Sequence, residues 1–109
     1  MEGETRVEGE GDDVTLFVSG GLGLGSADQF VGAAIAAVGD RDGVVTVDLA
    51  EVTAIDSLGM RALLRVLAHV NDTGGMMTIT RPRRSAHRAL MLRGLGGRIA
   101  IGSPYDPDV

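Results

Sequence analysis

The run VVTVDLAEVTAIDSLGMRALL, from Val44 to Leu64, decides the fold. Val44 to Leu49 is a nearly continuous β-branched and apolar stretch, the pattern of a strand covered on both faces. A short turn follows, and Val52 to Ile55 leads into Asp56-Ser57-Leu58-Gly59, where a helix is predicted to begin. Asp56 and Ser57 are both good N-caps, since each has a short side chain with an oxygen that can accept a first-turn N–H. Leu63, Val66, Leu67 and Val70 then recur at helical spacing as a buried stripe. Arg61, Arg65, His69 and Asp72 fall on the opposite face, and Gly74-Gly75 ends the helix.

Upstream, Val14 to Ser19 alternates apolar and polar residues, as a half-buried strand does. Glycines crowd at Gly20, Gly21, Gly23 and Gly25, and Ser26 with Gln29 reads as a capping box opening a helix. Ala27, Phe30, Val31, Ala34, Ile35 and Val38 form its apolar stripe, and Gly39 with the Asp40–Gly43 turn stops it. Downstream, Met76 to Thr80 is a third core strand that Pro82 cannot continue. Ser85 to Arg93 reads as a short helix stopped by Gly94, and Arg98 to Ile101 as a last strand. Residues 1–13 are expected to be an edge strand or a loose arm, and residues 104–109 a disordered tail. Strands alternate with helices throughout. The expectation is a single α/β domain over residues 1–109, with a mostly parallel mixed sheet of four to five strands and three to four helices.

Composition narrows the chemistry. The chain has 109 residues and no cysteine, which removes disulfides, thiolate nucleophiles and cysteine-based zinc sites. All ten basic residues are arginine. A P-loop and Schiff-base chemistry both need a lysine, so neither is available. His69 and His87 lie on separate helices without partners at metal spacing, and neither a metal nor a cofactor is expected. The Gly21–Gly25 loop lacks the spacing of a dinucleotide fingerprint, because its glycines alternate and Ser26 stands where the third belongs. No G-x-S-x-G elbow is present, so no enzymatic activity is expected. The longest apolar run, Ala33 to Val38, is too short to span a bilayer, and the acidic N-terminus is unlike a signal peptide. These features predict a soluble, cytoplasmic protein with no membrane insertion. Three aromatic residues and a net charge of −5 argue against direct nucleic-acid binding.

That net charge is unevenly placed. Residues 1–60 hold two arginines against twelve acids, and residues 61–109 hold eight arginines against three. The densest cluster is Arg81, Arg83, Arg84 and Arg88, either a solvated face or a surface for an acidic or phosphorylated partner.

Ser57 is the leading site candidate. It stands just beyond an apolar strand, where α/β proteins place functional groups. Gly59 leaves the backbone of the first turn open to close approach by another molecule. Arg61 and Arg65 follow at i+4 and i+8. A phosphate on Ser57 is expected to meet the free N–H groups and positive end of the helix, adding about −1.5 to −2 charges.

At these residues the chain resembles the STAS domain family (sulphate transporter and anti-sigma factor antagonist). The likeness rests on Val44–Leu64 with its Asp-Ser-x-Gly turn, and extends from about Val14 to Ser103. A stand-alone chain of this kind is similar to the bacterial anti-sigma factor antagonists, regulators of transcription and stress response. The resemblance implies partner switching: with Ser57 unphosphorylated the antagonist binds an anti-sigma factor that is also a serine kinase, and phosphorylation releases it. A serine phosphatase would reset the cycle. Asp56 would orient the serine hydroxyl, and Leu58, Gly59, Arg61, Arg65, Gly21 and Gly23 would line the partner-binding surface. The chain departs from the family pattern in having no acid in the Gly21–Gly25 loop before Asp28, in Leu58 after the serine, and in the early Pro82. The alternative is a STAS interaction module that is never phosphorylated, such as an accessory subunit of a transport complex. A small enzyme or ligand-binding protein using the glycine loop is the third class. Oligomeric state is not encoded legibly.

Overall fold

The computed structural model describes residues 3–9 and 12–107. Its elements are β1 (Glu4–Glu8), β2 (Asp13–Leu22), α1 (Ala27–Val38), β3 (Val44–Ile55), α2 (Ser57–Asp72), β4 (Met76–Thr80), α3 (Arg84–Leu92), a single 3-10 turn (Leu95–Gly97) and β5 (Ala100–Ile101). The five strands form one sheet in the order β1-β2-β3-β4-β5. β1 runs antiparallel to β2, and the other three pairings are parallel. This is the α/β architecture with a mixed sheet that the alternation of strands and helices implied.

The core follows from periodicity. Val14, Leu16 and Val18 of β2 and Val45, Val47 and Leu49 of β3 are buried on alternate positions, together with Met77 and Ile79 of β4. Phe30, Val31, Ala34 and Val38 of α1 and Leu63, Val66, Leu67 and Val70 of α2 complete one continuous apolar cluster. Ile35, placed in the α1 stripe by its spacing, is instead exposed. The alternate residues Thr15, Phe17, Thr46 and Thr78 are only half-buried.

Three local readings change. The turn expected between Leu49 and Val52 is absent, and β3 runs unbroken to Ile55 with register shifts against β2. Asp48 explains how. It is 5% exposed, and its carboxylate accepts the Ala50 N–H at 3.0 Å, replacing a ladder bond lost where β3 carries an extra residue. Its other oxygen accepts from Arg81 Nε at 3.0 Å. Arg81 has φ +50, a left-handed conformation costly for a non-glycine residue, and its guanidinium lies 5.2 Å from the centre of the Tyr105 ring.

The last strand is shorter than read, Ala100–Ile101, because Arg98 and Ile99 close the 3-10 turn onto the Leu95 carbonyl. The tail is also more ordered than its composition suggested. Tyr105 bridges to Arg83 and its N–H donates to the Pro82 carbonyl, so residues 104–107 are tied to the chain ahead of α3. The N-terminal arm is an edge strand over Glu4–Glu8, paired through Glu4↔Ser19 to Glu8↔Thr15. Met1, Glu2, Glu10, Gly11, Asp108 and Val109, which belong to the arm and tail as read from sequence, lie outside the described residues.

Candidate functional site

Strands β2 and β3 end side by side, with Leu22 opposite Ile55. The loop after β2 and the start of α2 after β3 therefore meet at the carboxyl edge of the parallel strands, the usual position of function in an α/β sheet. Backbone N–H of Asp56 donates to the Leu22 carbonyl at 3.2 Å, joining the two strand ends directly.

Asp56 is the N-cap of α2. One carboxylate oxygen accepts the Gly59 N–H at 2.9 Å and the other the Leu24 N–H at 3.0 Å, 32 residues away in sequence. The carboxylate thus caps its own helix and clasps the glycine loop to it. Gly23 makes the clasp sterically feasible, since a Cβ there would collide with the Asp56 carboxylate. The N–H groups of Leu24 first and Gly59 next hold the Asp56 carboxyl below its ordinary value, against an opposing effect of burial and with a lesser contribution from the Leu58 N–H. A depressed pKa means the clasp contributes fully above the ordinary aspartate range and is lost as pH falls through the lowered value. The Leu24 and Gly59 amide resonances are expected to titrate together, with a common midpoint below 3.8. A midpoint at or above 3.8, or separate midpoints, would remove the clasp.

The geometry corrects several sequence expectations. Asp56 faces two backbone amides, and no hydrogen bond joins it to the Ser57 hydroxyl among the described residues. Of the N–H groups expected to receive a phosphate, that of Gly59 is already bonded to Asp56. Gly59 is buried, and a Cβ there would collide with the Leu22 carbonyl, so the glycine serves packing inside the chain rather than docking of another molecule. Gly23 is buried as well. Ser26 makes no cap bond. Its hydroxyl is buried, accepts the Gly23 N–H at 3.1 Å and donates to the Gly21 carbonyl at 2.8 Å, which sets the shape of the loop.

What remains outward is compact. Ser57 is exposed at the first position of α2, and its hydroxyl has no hydrogen bond among the described residues. Leu58 beside it is partly exposed, and Leu24 projects from the clasped loop at 82% exposure. A groove between the first turns of α1 and α2 is lined by Leu24, Asp28, Leu58, Arg61 and Arg65. Arg65 makes an exposed ion pair with Asp28 at 3.6 Å, whereas Arg61 has no ion pair among the described residues. Leu24 and Asp28 escaped the sequence reading. An isolated leucine between glycines was the available signal for the first, and the second needed the α1–α2 contact.

Among the described residues no three His, Asp or Glu side chains are placed to hold a metal ion. No described helix is long and apolar enough to cross a membrane.

A mixed five-stranded sheet that brings a serine-bearing helix start against a glycine loop defines the chain as a STAS-fold domain. The comparisons agree. The family model described as "Mlab, STAS domain" matches residues 5–101, and the chain belongs to the STAS domain family. No curated protein matches its sequence at a significant level. Among solved structures, it is similar to an anti-sigma factor antagonist from Mycobacterium paratuberculosis, with a TM-score of 0.80, 22% identity, and 97% and 88% of the two chains covered. It is also similar to the anti-sigma factor antagonist SpoIIAA in its unphosphorylated form, with a TM-score of 0.77, 15% identity, and coverage of 92% and 89%. A sulfate transporter family protein from Wolinella succinogenes aligns with a TM-score of 0.72, 18% identity, and coverage of 83% and 75%.

Proposed function

We propose that this chain is an anti-sigma factor antagonist. Unphosphorylated, it binds an anti-sigma factor with serine kinase activity through the Ser57 surface, and phosphorylation of Ser57 releases it. The observation that carries this reading is Ser57 itself, exposed at the start of α2 with its hydroxyl unengaged among the described residues and followed by Leu58, which with Leu24 lines the groove between α1 and α2. Exposed leucines beside arginines suit a protein partner, because apolar knobs supply contact area and guanidinium groups supply directed bonds. A phosphate at Ser57 would stand beside the Asp56 carboxylate, with the Gly59 N–H already taken. It would therefore point into the partner's side of the surface, where an unmatched dianion costs binding through desolvation and repulsion.

Ser57→Ala and Ser57→Asp baits, compared by pull-down from source-cell lysate and mass spectrometry, test the reading. The alanine bait is expected to capture a small ATP-binding serine kinase and the aspartate bait to lose it. Arg61→Glu is expected to weaken the same interaction about tenfold, as reversal of a rim charge does, with an unchanged thermal melt. Wild-type affinity in that variant would show the helix face to be idle.

A second reading is a STAS module that is never phosphorylated, such as an accessory subunit of a transport complex. It is favoured by the Gly21–Gly25 loop, which offers no acid beside Ser57, and by the likeness to a sulfate transporter family protein. Capture of the same transport subunits by both baits would select it.

A further inference from the structure

The longest acid-free stretch of the chain runs from Thr73 to Tyr105 and contains six arginines, in a protein whose net charge is −5. The fold gathers part of this stretch on α3 and the turn after it. α3 buries Ala86 and Leu90 and turns Arg84, Ser85, Arg88, Met91 and Leu92 outward. Arg84, Arg88, Arg93 and Arg98 are all exposed, and none makes an ion pair among the described residues. Met91 at 50% exposure and Leu92 at 77% stand side by side between Arg88 and Arg93.

We propose that this face docks peripherally on a bilayer surface rich in anionic phospholipid. Four guanidinium groups without an ion pair among the described residues complement phosphate charge and can bind phosphate oxygens in bidentate fashion. The two apolar side chains decide for lipid over an acidic protein. Leu92 projects from the outer face of the helix and Met91 lies half exposed against the turn after it, and the cleft beside α3 is lined by Arg83, Arg84, Ser85 and Arg88 but neither of them. A headgroup–acyl boundary accepts such a projection without a matching pocket, whereas a protein partner must supply one. Asp106 is the one acid among the described residues that line that cleft. Nothing in this docking requires a membrane-spanning segment, and it does not depend on the role of Ser57.

Co-sedimentation of the full chain with phosphatidylglycerol or phosphatidylcholine vesicles tests it. Binding is expected to the first only, and to disappear in about 0.5 M NaCl, where surface charge is screened within a few ångström. At about fivefold per arginine near an anionic surface, the Arg84→Glu, Arg88→Glu double variant should lose at least about 25-fold. Leu92→Ser should lose about fivefold or more while leaving the circular dichroism melt unchanged, because the residue is exposed. Absence of phosphatidylglycerol binding in the folded wild type overturns the proposal. So does equal binding of poly-glutamate and vesicles with no effect of Leu92→Ser, the outcome that marks an acidic protein surface instead.

Discussion

Gly59→Ala is expected to destabilise the domain by about 3 kcal/mol, the upper end for forcing an extra methyl into a packed interior. Helix propensity alone predicts the opposite sign, since alanine exceeds glycine by about 1 kcal/mol inside a helix. Packing wins because the new Cβ would meet the Leu22 carbonyl oxygen, with the carbonyl carbon at 2.7 Å and Ile55 Cγ2 at 3.1 Å. The Leu22 carbonyl cannot simply turn aside, as it accepts the Asp56 N–H. Relief requires the end of β2 to move away from α2. For a domain of this size the loss corresponds to a fall in Tm of roughly 12 °C or more, measurable by calorimetry. A change below about 0.5 kcal/mol would mean that the strand end and helix start are not in contact.

Ser57→Asp is expected to act in the opposite manner, with a large effect on association and almost none on folding. The side chain is exposed, and Asp56 supplies the helix cap in both variants. The melt should therefore shift by less than about 0.5 kcal/mol equivalent. Placed in an interface, a charge without a partner costs about 3 kcal/mol, which lowers affinity about 100-fold. Titration calorimetry against the kinase captured by the Ser57→Ala bait reads this directly. A folded variant with wild-type affinity would remove Ser57 from the interface.

The contrast between these two variants mirrors what could be read from the sequence. Core positions were legible because burial repeats with the period of the element: Leu63, Val66, Leu67 and Val70 all lie inside as their spacing demanded. The position of Ser57 was legible for a related reason, since strand, cap and helix follow one another locally. Contacts across long separations were not legible. The bond from Leu24 N–H to Asp56 joins residues 32 apart, and the pair between Arg81 and Asp48 joins residues 33 apart. Gly59 shows the cost most plainly. A glycine on a first helical turn looks the same in sequence whether the space beside it belongs to a partner or to the protein's own backbone. Ser26 illustrates a different ambiguity, because its spacing to Gln29 suits a capping box while its hydroxyl serves the loop behind it. Tyr105 was hidden by its neighbours, since a polar, proline-containing tail gives no sign that one ring will rest on Arg81.

The contact between Gly23 and Asp56 also governs how this surface can change over generations. The carboxylate fills the volume that a side chain at position 23 would need. Any larger residue at 23 becomes tolerable only after Asp56 has shrunk or turned away, so the order of substitutions matters. Lineages that change Gly23 first pass through an intermediate in which the Asp56 carboxylate is pushed off the loop. A combinatorial library that varies the two sites independently spends most of its members on such combinations, and in selection the pair behaves as one inherited character.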